Sequence, residues 1–156
     1  MAKILIKISG DCFRDDVFEW IRRIAKDNYV VICVGGGTQI NDAFKRKGFP
    51  VGEYGPLGRE TKSQEEVILA KEVLEHNQVF VQNLLIEKDI IALVEIPVLN
   101  IGGVLCHLNG DTYVLAAYLG FEKIYVVTMA SRLKKKTEEF AKYPKIEVIA
   151  FPDNST

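Results

Sequence analysis

The sequence predicts an α/β fold, a mainly parallel sheet with helices on both faces. Three observations carry that prediction. Short β-like runs alternate with helical stretches along the whole chain, as repeated βαβ units require. The strand-like runs are continuously apolar instead of alternating, which is how parallel strands buried on both faces read. Several of them end in glycine or Asn/Asp turns that lead straight into a helical pattern. The 156 residues are enough for one domain with a substantial core, and 48% hydrophobic with 26% charged residues is an ordinary globular composition. The whole of 1–156 therefore reads as a single domain, with no internal repeat, linker or low-complexity segment.

Taken in order, Ala2–Ile8 is an apolar run punctuated by Lys3 and Lys7 and closed by Ser9-Gly10. Phe13–Lys26 places Val17, Trp20, Ile21 and Ile24 at helical spacing, the stripe of a helix lying on a sheet. Tyr29–Val34 is a β-branched strand ending in Gly35-Gly36-Gly37. Thr38–Lys47 reads as a helix stopped by Gly48. Phe49–Glu60, with two prolines and closely spaced glycines, reads as a loop. Thr61-x-x-Gln64 resembles a capping box opening a helix over Lys62–His76, and Val79–Lys88 is a further helical segment with a strand as its alternative. Val98–Ile101 and Val104–Leu108 flank a Gly102-Gly103 turn. Asn109-Gly110-Asp111 precedes a helix over Thr112–Leu119, stopped by Gly120. Lys123–Thr128 is a strand, Ser131–Lys142 an amphipathic helix and Lys145–Ala150 a last strand.

Composition excludes several function classes. A formal charge of −1 supplies no electrostatic reason to expect nucleic acid or an anionic membrane as partner. No apolar run is long enough to span a bilayer and the N-terminus has no secretory pattern, so a cytoplasmic location is expected. Cys12, Cys33 and Cys106 are widely spaced and read as reduced thiols, Cys33 as a core residue. His76 and His107 are too isolated to form a metal site, and no metal is expected. Asn154-Ser155-Thr156 matches a glycosylation acceptor but reads as a frayed tail.

In open parallel sheets ligands sit beyond the carboxyl ends of the strands. Ser9-Gly10, Gly35-Gly36-Gly37 and Asn109-Gly110-Asp111 all fall there. The triple glycine feeding a helix can bring backbone N–H groups close to an anion, or can be simply a tight strand-to-helix turn. It is neither the dinucleotide fingerprint nor a Walker P-loop, so a standard NAD or P-loop domain is excluded. Lys7, near the end of an apolar strand, must bring its ammonium to water, an anion or a carboxylate. Asp111 is a candidate site residue and equally a candidate helix N-cap.

These blocks, in this order, resemble the amino acid kinase family, which includes acetylglutamate, aspartate, carbamate and uridylate kinases. Ile4–Gly10 is similar to the family's opening K-[IL]-[SG]-G, and Val30–Asn41 to its V-V-x-x-G-G-G-x-x-I-N segment. Gly58-Arg59-Glu60-Thr61 resembles G-x-R-x-T, and Leu108–Thr128 resembles N-x-D-T, a helix, A-E-K and a strand ending in Thr. The resemblance covers residues 3–128 and implies a shortened amino acid kinase fold, carbamate kinase-like and lacking most of the C-terminal nucleotide-binding half. It implies phosphoryl transfer from ATP with Mg2+ to a small carboxylate or phosphate, and assembly as a homo-oligomer through helices such as Lys62–His76. By the resemblance, Lys7 neutralises the transferred phosphoryl group and Asp111 orients that lysine. Ser9, Gly10, Gly35, Gly36, Gly37 and Thr128 face the phosphates, while Arg59 and Asn109 hold the acceptor.

Two departures stand beside the likeness. Where the family has an acidic T-D-x-x-G segment, this chain reads Thr128-Met129-Ala130-Ser131. A second lysine facing the first across the phosphates has no clear counterpart. Lys134-Lys135-Lys136 reads as a solvated helix face, with a contribution to the site as the alternative. Two functions of different class follow, a compact small-molecule kinase and a non-catalytic anion-binding module that retains the cradle.

Overall fold

The structure is a computed structural model that describes residues 1–154; Ser155 and Thr156 of the glycosylation pattern lie outside the described residues. In chain order, β1 (Lys3–Ile8) leads through a single 3-10 turn into α1 (Asp15–Ala25), followed by β2 (Tyr29–Val34) and α2 (Gly37–Lys47). A small hairpin, β3 (Glu53–Gly55) and β4 (Gly58–Glu60), precedes the long helix α3 (Gln64–Glu87). Then come β5 (Leu93–Glu95) and a second hairpin of β6 (Val98–Ile101) and β7 (Val104–His107). The chain closes with α4 (Gly110–Ala117), β8 (Lys123–Met129), α5 (Leu133–Glu139) and β9 (Ile146–Phe151).

Five strands form one sheet in the order β5-β2-β1-β8-β9, every neighbouring pair parallel. All of them therefore present their carboxyl ends to one rim. Alternation along β1 explains why both faces needed apolar residues. Ile4, Ile6 and Ile8 pack with Val17 and Ile21 of α1 and with Val81 and Leu85 of α3. Leu5 packs to the opposite side with Val114 of α4 and Phe140 after α5. Helices thus cover both faces. The chain runs from β1 outward to β2 and β5, then returns to place β8 against the other side of β1. The connections diverge between β1 and β8, which is where a crevice opens in such sheets.

Most elements lie where the sequence placed them, and four differences have physical reasons. Phe49–Glu60, expected as a loop, contains the β3–β4 hairpin, whose strands are only three residues each. The expected helices at Lys62–His76 and Val79–Lys88 are one continuous helix, α3. Its apolar residues lie on more than one side, Leu74, Val81 and Leu85 buried while Val79, Phe80 and Ile86 are exposed, so its periodicity is blurred. Its cap is Ser63 and not Thr61: Ser63 Oγ accepts from Glu66 N–H at 3.2 Å, and Glu66 accepts in return from Lys62 N–H at 3.1 Å. Strand β5 went unread because three residues are too short to show a period. Within the stretch expected as an interface, Ala70 and Leu74 are buried against Ile40 and Phe44 of α2. In the β6–β7 hairpin, Gly102 and Gly103 take φ of 60° and 86°, the paired left-handed conformation that a tight two-residue turn demands.

The capping register is directly testable. Ser63→Ala should cost about 1 kcal/mol of stability in urea denaturation, whereas Thr61→Ala should stay within about 0.5 kcal/mol of the parent.

Candidate functional site

A cavity of about 150 Å3 lies above the carboxyl ends of β1 and β2. Lys7 and Ser9 enter it from the end of β1, Gly35, Gly36 and Gly37 from the turn after β2, Arg59 from β4, and Asn109 from the start of α4. The three turns singled out in the sequence therefore meet at one rim. Gly10 and Thr128 do not line this cavity. Gly10 lies under the Gln39 side chain, whose Nε2 donates to Gly10 O at 3.3 Å, so a methyl group there would collide with the Gln39 amide. Thr128 is buried in β8, paired in register with Ala150.

The electrostatic centre of the rim is Asp111. Asn109 caps α4, its Oδ1 accepting from Thr112 N–H at 2.7 Å, and this leaves Asp111 in the first turn free for other partners. Those partners are two lysines. Lys7 Nζ lies 3.5 Å from Asp111 Oδ1, and Lys136 Nζ of α5 donates to Oδ2. The Lys7 contact is an ion pair without hydrogen-bond geometry, since Oδ1 is buried with no hydrogen-bonding partner. Side-chain exposures of 11% for Lys7, 18% for Lys136 and 21% for Asp111 place the triad largely away from water. Burial alone would raise the Asp111 pKa, but Lys7 and then Lys136 outweigh it and hold the carboxyl below its ordinary value. Gly110 makes room for this: a methyl group at its position would run into the Lys7 side chain.

Lys136 departs from the solvated-face reading of Lys134-Lys135-Lys136. Lys134 and Lys135 are exposed, as a solvated face requires, but Lys136 turns inward to the carboxylate and also reaches Glu139 at 3.5 Å. Position within a helix decides this, because residues one apart point about 100° apart. No local pattern marked which of the three lysines faces the sheet.

The glycine turn divides its labour. None of Gly35, Gly36 and Gly37 has a positive φ, so conformation does not demand glycine at any of them. Gly35 N–H is already bonded to Ile8 O at 2.9 Å. A side chain at Gly36 would fall 2.7 Å from Asn77 Nδ2 and 3.1 Å from Leu74, so glycine there serves packing against α3. At Gly37 a methyl group would meet nothing closer than 3.9 Å. Gly36 is the N-cap of α2 and brings no capping side chain, which leaves the first N–H groups of the helix to a ligand or to water.

Arg59 is stacked between Phe44 and Tyr54, its guanidinium carbon 5.2 Å and 4.7 Å from their ring centres. It donates to Val51 O, to Asn41 Oδ1 at 2.6 Å and to the Tyr54 hydroxyl. Among the described residues no carboxylate pairs with it, so a half-buried cation faces the cavity without a counter-charge. Burial lowers its pKa from its ordinary value. His107, at the end of β7, also lines the cavity, with Nε2 buried and unpartnered. Burial, and then Lys71, lowers its pKa, so the imidazole is neutral at pH 7. Sequence reasoning tested His107 only as a metal ligand and missed it as a cavity residue. Among the described residues no three His, Cys, Asp or Glu side chains converge as metal ligands. Cys33 is buried beneath the site, and burial pushes its thiol up to about 12, so it stays protonated.

Compared with known protein families and characterised proteins, the sequence matches no family model and no curated protein. The observed architecture, a mostly parallel five-stranded sheet with helices on both faces, is consistent in shape with the amino acid kinase superfamily.

Asp111 predicts a pH signature. Because its folded pKa lies below the unfolded value of about 3.8, its stabilisation is complete above that value and disappears as pH falls through the folded one. Asp111→Asn leaves Lys7 uncompensated and Lys136 with Glu139 alone, and should cost about 2 kcal/mol at pH 7, a figure reduced for the triad's partial exposure. In urea denaturation the gap between parent and variant should narrow below about pH 4; a gap independent of pH would remove the carboxylate from this role.

Proposed function

We propose that this chain binds a small carboxylate or phosphate in the cavity and transfers to it the terminal phosphoryl group of ATP. The observation that carries this reading is the pair of lysines, Lys7 and Lys136, held on the single carboxylate of Asp111 beside the glycine turn. Phosphoryl transfer asks a protein mainly for positioning and charge stabilisation, and needs no nucleophilic side chain. One P–O bond, between the terminal phosphorus and the oxygen leaving with ADP, breaks as another forms to an acceptor oxygen, and ADP departs with the electron pair.

Each residue has a matching task. Lys7, which lines the cavity, would compensate negative charge on the equatorial oxygens of the moving group, and Lys136, outside the lining, would share the Asp111 carboxylate with it. The free N–H groups at the start of α2 offer uncharged donors to the same oxygens. Arg59, lacking a carboxylate partner of its own, suits the acceptor's anionic end. Asn109 Oδ1 is committed to the cap, which leaves its Nδ2 to donate. Among the described residues no cluster of His, Cys, Asp or Glu would hold Mg2+, so the metal would be carried by the nucleotide phosphates and would supply charge neutralisation there.

A second reading is favoured by the size of the cavity. About 150 Å3 matches a small acid, while sites for drug-sized ligands run to roughly 300–1,000 Å3. The site would then bind its anion without transferring anything to it.

ADP release with a panel of small carboxylates and phosphates separates the two. On the kinase reading, Lys7→Ala and Lys136→Ala each lower turnover by about a thousandfold, while Lys135→Ala leaves it unchanged. Absence of ADP release above the Lys7→Ala background, together with a thermal shift from the acids but not from ATP, would establish binding alone.

A further inference from the structure

His107 faces the cavity with a nitrogen that nothing in the fold engages. It ends β7, paired in register with Val98 of β6, and shares the lining with Ser9 and Thr61. Its Nε2 is buried and has no hydrogen-bonding partner among the described residues. A buried polar atom in that state costs stability unless a ligand supplies the missing bond. The cavity holds only about 150 Å3, so an anion anywhere inside it lies close to the imidazole.

The charged groups around the ring are mostly cations. Lys7 of β1 and Arg59 of β4 line the same cavity. From α3, Lys71 acts on the ring and is itself paired with Glu75. Glu60 of β4 shares a second recess with His107 and is not part of this cavity's lining. Strand β6 brings no titratable side chain. Asp111 is outside the lining and engaged by Lys7 and Lys136. With the cavity unliganded, burial and this cationic company keep the imidazole neutral at pH 7. A bound anion reverses the local field: it accepts from Nε2–H and favours the doubly protonated ring.

We infer that His107 is a ligand-contacting residue, its Nε2 bonded only when an anion occupies the cavity, and that the anion binds together with a proton taken up by the ring. This rests on the anion-site reading above, whether or not phosphoryl transfer follows binding. The proton comes from solvent, adds to the free lone pair of the imidazole and leaves with the anion. Linkage fixes the sign. The anion raises the ring's affinity for its proton, so the gain in anion affinity is complete below the unliganded pKa. That gain is lost as pH rises through the liganded pKa. A difference of about one pKa unit between the two states corresponds to about tenfold in affinity.

Sulfate is the probe, because its charge is constant across about pH 5.5 to 8, the range in which histidine titrates. Calorimetry on the intact chain should show sulfate binding about tenfold tighter at the acidic end, with proton uptake read from buffers of different ionisation heat. By NMR, the His107 ring should titrate below about 6.5 without ligand and about one unit higher with saturating sulfate. His76, the other histidine, is exposed and outside the cavity, and its titration should not move. His107→Gln keeps an N–H donor and removes the titration, so it should abolish the pH dependence, with a thermal melt reporting that the variant is folded. Sulfate affinity independent of pH in the parent leaves the anion site standing and overturns the inference. The same pH dependence in His107→Gln, or its loss in His76→Gln, also overturns it. Absence of sulfate binding at every pH, with unmoved His107 resonances, brings down the anion site and the inference with it.

Discussion

A lysine on the central strand of a sheet is the constraint around which this rim is organised. Lys7 sits on β1 between β2 and β8, opposite Cys33 on one side and Val126 on the other. An ammonium in that position cannot be left without compensation, and its side chain is only 11% exposed. Asp111 supplies the compensation, and several local features follow from that one pairing. The cap of α4 has to be Asn109, because a capping Asp111 would point elsewhere. The residue between them has to be glycine, because the lysine stem passes over it. A second lysine can then approach from α5, since one carboxylate has two oxygens to share.

The cavity beside this triad comes from packing, not from backbone conformation. α3 crosses behind the glycine turn closely enough that Gly36 can carry no side chain, with Asn77 bonding the Gly35 carbonyl and Leu74 pressing from below. At Gly37 the nearest neighbour that a methyl group would meet is the Tyr54 hydroxyl, at 3.9 Å. The same helix therefore closes the floor of the cavity and supplies its apolar wall. The β3–β4 hairpin closes another side: Leu57 O accepts from Asn109 N–H at 3.0 Å, tying the hairpin to the start of α4, and Arg59 is clamped between Phe44 and Tyr54. Arg59 is thus held in place by groups that do not neutralise it.

Much of the sheet was legible because its strands are buried on both faces and their turns are punctuated by glycine. Tyr29–Val34 shows this best: continuous β-branched residues ending at a glycine turn leave no competing assignment. α3 was legible only as a helix of uncertain extent, since apolar residues on several sides erase the period by which its face is read. At the site, the convergence of the turns after Ile8 and Val34 with the start of α4 follows from parallel topology and was readable. Lys136 was not. Its role depends on the rotation of a seven-residue helix relative to the sheet, and three consecutive lysines carry no record of which one turns inward. His107 was unreadable for a related reason, because its unpartnered nitrogen is a product of tertiary packing.

Charge balance sets the electrostatics of the rim. The chain as a whole carries a formal charge of −1, so no general field draws anions to its surface. At the rim, Lys7 and Lys136 share one carboxylate and Arg59 has no carboxylate partner among the described residues, which leaves a local excess of positive charge. That excess is confined to a recess with low-polarity walls, where water screens it less than at an exposed surface. Attraction is therefore short in range and tied to shape. A strongly basic protein would spread its positive potential over the whole surface, whereas here the excess is local to one recess.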